Sequence, residues 1–341
     1  MMRKILHLLR AQWDRLLLGA VILLLAATFF RPDFPGQRPL FDYIFVLDVT
    51  QSMNVEDYSR DGKPVSRLDF VKLALHRTLR ELPCGSKVGW GIFTEYRSYL
   101  LFMPVEVCAN YPELIGTLDH MDGRMAWTGN SEIAKGFYSA LNIAKSLEPK
   151  PAVVFMTDGQ EAPPINPRHR PDSDLKRGEV AGLIVGAGGY TPMPIPKVDA
   201  SGQPLGFWRA DEVAQVDLFS LGRGGSVAGE KLVETEPEAS LDPAITGVSG
   251  NEHLSFVREA YLKLLGAEKG LGYHHLQSAE GLAAALTNDE FARETASRID
   301  LRYPLAALAL VALLAVYLAG PLGAAIGRVS RWARKARRKF A

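Results

Sequence analysis

Cysteine is nearly absent: the 341 residues include two, Cys84 and Cys108. Neither sits in a C-x-x-C pair or a zinc-ligand spacing, which argues against dithiol redox chemistry and thiolate metal centres. Histidine is scarce as well, with seven residues and one adjacent pair, His274-His275. That pair lies late in the chain, where an exposed or packing role is expected, so the histidines of a hydrolytic metal site are lacking. An excess of charge of one sign is missing too, since 39 basic residues against 38 acidic ones leave a net charge of +1. The balance points to no nucleic-acid partner and no strongly acidic substrate. No internal repeat occurs at solenoid periods. What is present, 47% hydrophobic and 23% charged residues, suits one large core rather than disorder.

Charge is unevenly placed. Leu16 to Phe30 carries none over 15 residues, and Tyr303 to Gly327 carries none over 25. The second run exceeds the ~20 residues that cross a bilayer core as a helix, and the first needs its flanks to do so. The alternative for the first run is a cleaved signal peptide, but Ala26 to Arg31 lacks a small-x-small cleavage site. Arg3, Lys4, Arg10 and Arg15 precede the first run, and Arg328, Arg331, Arg334, Lys335, Arg337, Arg338 and Lys339 follow the second. Basic residues are retained on the cytoplasmic side. The expectation is a bacterial inner-membrane protein with two spans (16–30 and 303–327), cytoplasmic ends (1–15 and 328–341) and a periplasmic domain (31–302). The basic tail then reads as a topology signal and lipid contact rather than a nucleic-acid patch.

Within 31–302, Phe41 to Leu47 is a run of apolar and β-branched residues broken only by Asp42, suited to a strand buried on both faces. Leu68, Val71, Leu75, Leu79 and Leu82 have helical spacing over Arg67 to Leu82, with Ser66 placed to cap. Lys87 to Thr94 and Ser98 to Glu106 read as a hairpin joined by Glu95, Tyr96 and Arg97. In that register Thr94 faces Ser98, and carried outward it sets Cys84 opposite Cys108. An oxidising compartment would favour a structural disulfide there. A short helix is expected at Pro112 to Met121, and a longer one after Ser131 with Ile133, Phe137, Leu141 and Ala144 on one face. Strands follow at Pro151 to Met156 and Val180 to Val185. Thr191 to Phe207 reads as an inserted loop or hairpin, 211–250 as loop with little to interpret, and Glu252 to Leu265 and Ala279 to Leu286 as helices. Alternating strands and helices predict an α/β fold, doubly wound, with a mainly parallel central sheet and helices on both faces.

Ligands of open α/β sheets bind at the carboxyl ends of the strands. The first strand ends in Asp48-Val49-Thr50-Gln51-Ser52, a carboxylate and two hydroxyls at two-residue intervals that a pleat can send the same way. The strand at 151–156 ends in Thr157-Asp158-Gly159. Such hard oxygen groups suit Mg2+, Mn2+ or Ca2+, with Mg2+ the first choice. The alternative for a lone aspartate, a turn or helix cap, is weakened by the second strand ending the same way.

These motifs resemble the von Willebrand factor A (VWA) domain, whose metal-ion-dependent adhesion site (MIDAS) uses D-x-S-x-S, a later threonine and a T-D-G-like turn. The likeness covers roughly residues 40–190. Thr50 stands where serine is usual, which keeps the hydroxyl, and Asp158 fits the last position. The middle ligand is open: Ser131 has the family's spacing to the apolar Ile133, and Thr128 has the usual residue type. The resemblance implies a VWA/Rossmann-like fold, no enzymatic activity, and a protein partner that completes the metal's coordination with an acidic side chain. Glu161 is the one acid to consider as a water-activating base for a rival metal hydrolase, and a solvated loop role is the plainer reading. Gly186 to Pro196, and Gly270 to Tyr273 followed by Ala279 to Leu286, also resemble bacterial Bat and MoxR-associated proteins, and the two anchors with the segment Arg258 to Tyr273 resemble the accessory proteins of methanol dehydrogenase. That likeness implies a part in calcium insertion or in stress tolerance, and a tail that docks a MoxR-type AAA ATPase.

Overall fold

The computed structural model describes residues 2–30, 33–127, 129–165, 170–199, 201–215 and 251–317. The chain divides into two compact units, one of residues 1–38 with 294–341 and one of 39–293.

The larger unit is built on a sheet whose central strand is β1 (Asp42–Asp48). After α1 (Arg67–Glu81) the chain forms β2 (Lys87–Thr94), β3 (Arg97–Leu100), β4 (Val105–Glu106), α2 (Tyr111–His120) and α3 (Ile133–Lys145). Strands β5 (Ala152–Thr157) and β6 (Gly182–Gly186), helix α4 (Glu259–Lys269), strand β7 (Gly272–His275) and helix α5 (Ala279–Leu286) complete it. The strand order is β7-β6-β5-β1-β2-β3, with β4 also on β2. The pairs β7/β6, β6/β5, β5/β1 and β1/β2 are parallel, and β3 and β4 are antiparallel to β2. Residues of β1 alternate between two cores: Tyr43, Phe45 and Leu47 pack with α1, α2 and α5, whereas Ile44 and Val46 pack with α3 and α4. A strand buried on both faces has no polar side to show, which explains its apolar run. Ser66 caps α1 as expected, its side chain accepting from Asp69 N.

The hairpin differs from its expected register. Thr94 pairs with Arg97 rather than Ser98, because Glu95 takes φ 59° and closes a tighter turn. Past Leu101 to Pro104 the strand resumes as β4, with Val88 opposite Val105, so the single strand expected over 98–106 is broken where Pro104 has no N–H to give. Cys84 and Cys108 lie just beyond this ladder and are bonded, with Cα atoms 5.3 Å apart. The helix expected from Glu252 starts at Glu259 instead, since Leu254–Ser255 pairs with Met193–Pro194. Within 191–207 a small hairpin forms, Pro196–Val198 against Pro204–Phe207. Most of the 211–250 segment lies outside the described residues.

The smaller unit contains the helix Met2–Phe29, longer than the apolar run alone, and most of a two-stranded ribbon of Asp33–Leu40 and Arg293–Asp300 that the sequence did not suggest. Residues 302–317 are helical, and 318–327 and the basic tail lie outside the described residues. Among the described residues no helix is long and apolar enough to cross a membrane. Leu16, Ile22, Leu23 and Phe29 of the first helix, and Leu308, Leu310, Val311 and Leu314 of the second, are exposed.

Candidate functional site

Because β1 and β5 are adjacent and parallel, with Leu47 opposite Met156, their carboxyl ends deliver Asp48 and Thr157-Asp158 to one place. Asp48 is fully buried. Its Oδ1 accepts from Thr50 N at 2.9 Å and Thr50 Oγ1 at 2.7 Å, and its Oδ2 from Thr157 Oγ1 at 2.6 Å. Thr50 Oγ1 and Ser52 Oγ are 3.3 Å apart, close enough for one cation to touch both. Burial, then the charge of Asp158, pushes the Asp48 carboxyl up to about 7 against the hydrogen bonds that favour its ionised form.

Ser131 joins this cluster from the loop before α3. Its backbone pairs with Ala162, Ser131 N donating to Ala162 O at 2.7 Å, and it lines one pocket with Thr50 and Ser52. The hydroxyl is buried with no hydrogen-bond partner, a costly condition that an oxygen-seeking cation would relieve. Thr128 lies outside the described residues.

Asp158 is held differently from what its motif suggests. Arg67, the first residue of α1, has a fully buried side chain whose Nη1 donates to Asp158 Oδ2 at 2.7 Å. Ser255 Oγ donates to the same oxygen at 2.6 Å, and Gln160 N donates to Oδ1 at 3.0 Å. The other edge of the guanidinium meets Asp57, Nη2 donating to Oδ2 at 2.7 Å and Nε at 3.0 Å. Burial opposes the charged guanidinium, but Asp158 and Asp57 outweigh it and hold its pKa above the ordinary value. Both Asp158 oxygens are therefore engaged by the protein. Two carboxylates, Asp57 and Asp158, share one guanidinium, whereas the Asp48 carboxyl is met by hydroxyl and amide donors. The oxygen donors Asp48, Thr50, Ser52 and Ser131 fit a divalent ion and would be the ones to hold it.

Two glycines permit this packing. Gly159 has φ 83°, and a Cβ there would lie 3.0 Å from Arg258 Cβ. Gly188 has φ 118°, and a Cβ there would lie 2.6 Å from Arg67 Nε. The neighbouring Gly189 N donates to Asp57 Oδ2 at 2.8 Å, so the glycine-rich run after β6 is explained by its approach to the ion pair.

The roles of Arg67, Asp57 and Ser255 escaped the sequence reading. One signal was there: a basic residue in the first turn of a helix opposes the macrodipole and calls for a nearby acid. Glu161 is not a solvated loop residue. Its oxygens accept from Ile133 N and Ala134 N at 3.0 Å each and from Tyr261 OH at 2.5 Å, so it caps α3. His274 and His275 sit on β7 at the sheet edge, with β6 and β5 between them and β1.

Residues 43–160 match the model of the von Willebrand factor type A domain family, and the fold is α/β and VWA-like, with a mainly parallel central sheet. No curated protein matches the chain. Among solved structures it is similar to an aerotolerance-related membrane protein from Bacteroides fragilis NCTC 9343, at 15% identity over 72% of this chain and 96% of that one, TM-score 0.43. A second is the PilB minor pilin from Streptococcus sanguinis, at 13% identity over 74% and 61%, TM-score 0.37. A third is the manganese-loaded Plasmodium vivax TRAP protein, at 12% identity over 79% and 81%, TM-score 0.34.

Proposed function

We propose that this protein is a non-catalytic interaction module that binds one divalent cation, Mg2+ first among Mg2+, Mn2+ and Ca2+, and completes the coordination with a carboxylate from a protein partner. The observation that carries this reading is the convergence of Thr50, Ser52 and Ser131 on one pocket, with the Ser131 hydroxyl buried and unpartnered and the Asp48 carboxyl hydrogen-bonded to Thr50 behind them. When bound, the cation would supply a Lewis-acidic contact for the partner's acid. The chain's own residues do the positioning: Thr157 and Thr50 fix the Asp48 carboxylate, and Arg67 keeps Asp158 turned away from it. No activated nucleophile is needed for such a role, and Glu161, the one acid considered as a base, is committed to the end of α3.

We also propose that the two apolar runs anchor the domain in a bacterial inner membrane, with the domain in the periplasm and both termini in the cytoplasm. The exposed leucines on both helices support this reading. The client is an accessory target of the Bat or MoxR-associated kind, methanol dehydrogenase maturation being the specific candidate, with the basic tail meeting a MoxR-type ATPase.

The test of the metal reading is calorimetric titration of the full chain with Mg2+, Mn2+ and Ca2+ beside Asp48→Ala and Ser131→Ala. Saturable binding abolished by the first substitution and weakened by the second is expected. No binding by the native chain, or equal binding by Asp48→Ala, would refute it.

A further inference from the structure

The inserted segment after β6 does more than pack on the ion pair. Met193–Pro194 pairs with Leu254–Ser255, and the hairpin that follows ends at Phe207. Trp208 N then donates to Ile195 O at 3.0 Å. The indole is fixed from two sides: Nε1 donates to Gln51 Oε1 at 2.8 Å, and Lys197 Nζ lies 4.4 Å from the ring centroid. Gln51 is the residue between Thr50 and Ser52, so the hairpin is fastened to the metal loop itself.

This attachment turns the mouth of the site into a cavity of about 300 Å3. Its lining brings the polar residues Thr50, Ser52 and Ser131 together with the apolar Ile195, Trp208 and Val213. The acids around it are already engaged. Glu212 is paired with Lys197 at 2.7 Å, Glu252 accepts from Gln160 Nε2 at 2.8 Å, and Glu161 caps α3. An incoming carboxylate therefore meets hydroxyls and a cation together with apolar surface. The volume is at the small end for ligand pockets. Phe207, next to the lining residue Trp208 in the chain, is 57% exposed, and aromatic surface of this kind suits a polypeptide partner.

Resting on the metal reading above, we infer that the cavity takes an acidic side chain of a partner polypeptide together with the aliphatic side chain next to it. Trp208 and Ile195 are then specificity-determining residues: the cation selects the acid, and the wall selects its neighbour.

The experiment uses the full chain, first with Mn2+ alone and then with capped peptides Gly-Gly-Asp-Xaa-Gly in which Xaa is glycine, alanine, valine or leucine. Burial of a leucine side chain predicts binding on the order of tenfold to a hundredfold tighter than for glycine. Trp208→Ala and Ile195→Ser should each cut this ratio to about threefold or less; the ratio is taken between leucine and glycine peptides within one variant, so a change in Mn2+ affinity common to both cancels. Trp208→Phe should keep most of the ratio, and retained Mn2+ binding shows that each variant is folded. Mn2+ binding with no peptide bound, with no ranking among peptides, or with the ranking intact in both wall variants would overturn this inference and leave the metal reading standing. Absence of Mn2+ binding would overturn the metal reading itself. Tighter binding of free 4-methylpentanoate than of the leucine peptide would overturn a polypeptide as the source of the acid.

Discussion

Replacing Arg67 with methionine tests the central electrostatic claim. Methionine keeps much of the length and apolar stem but removes the charge. The loss takes away the donors to Asp158 at 2.7 Å, to Ser255 Oγ at 2.5 Å and to Asp57 at 2.7 and 3.0 Å. Asp158, fully buried, would keep only Ser255 Oγ and Gln160 N. Breaking a buried pair by removing one partner costs about 3–5 kcal/mol, much of it the uncompensated charge left behind. Removing that charge as well should restore part of the loss. The double variant Arg67→Met with Asp158→Asn is therefore expected to be more stable than the sum of the singles predicts, by about 1–3 kcal/mol. Recovery is partial because Asp57 remains. Urea denaturation of the full chain, with near-ultraviolet circular dichroism reporting the core around the buried Trp90, measures all three variants. Additivity of the singles within about 0.5 kcal/mol would refute the coupling.

Gly136→Ala should destabilise by about 1–3 kcal/mol, because the new Cβ would lie 2.1 Å from the buried Phe93 ring; helix propensity alone favours alanine by about 1 kcal/mol, so a gain in melting temperature would refute the packing argument. Replacing Cys84 and Cys108 together with serine should cost about 3 kcal/mol for a sequence separation of 24, read as the shift in denaturation midpoint. Burial pushes the Glu161 carboxyl from its ordinary 4.5 up to about 7, so the folded state binds its proton more tightly than the unfolded chain does. That contribution to stability is fully present below about pH 4.5 and is lost as the pH rises through about 7. Glu161→Gln should flatten this decline, Asp48 keeping its own share, and an unchanged slope between pH 4.5 and 7 would count against it.

The legible parts of the molecule were those written in periodicity. The strands at β1 and β5 announced themselves because burial on both faces demands a continuous apolar run, and α1, α3 and α5 because one stripe faces a core. The two motifs at the strand ends were legible for the same reason: a strand end fixes where its next residues go. Features set by distant partners were not. The hairpin register depended on a left-handed glutamate, a conformation uncommon outside glycine. The start of α4 depended on Leu254–Ser255 finding Met193–Pro194. β7, only Gly272–His275 with two histidines, has no apolar run because it lies at an edge. Arg67 looked like an ordinary first-turn residue, and its burial follows from three segments that come together only in the fold.

That burial also explains how the site is kept in shape. Apolar packing tolerates small shifts, whereas a guanidinium in a fixed fork geometry admits few arrangements of its acceptors. Here one guanidinium gathers Asp57 after β1, Asp158 after β5, Ser255 before α4 and, through Asp57, the glycine turn after β6. Swapping such a cluster for apolar residues could leave the fold equally stable or more so. What it would lose is the alignment: the same groups set the distance between the carboxyl ends of β1, β5 and β6, and the strand Leu254–Ser255 that they hold also carries the inserted segment bearing Trp208. The placement of the cavity wall over Thr50, Ser52 and Ser131 thus depends on a pair of ion contacts that never touch the cavity.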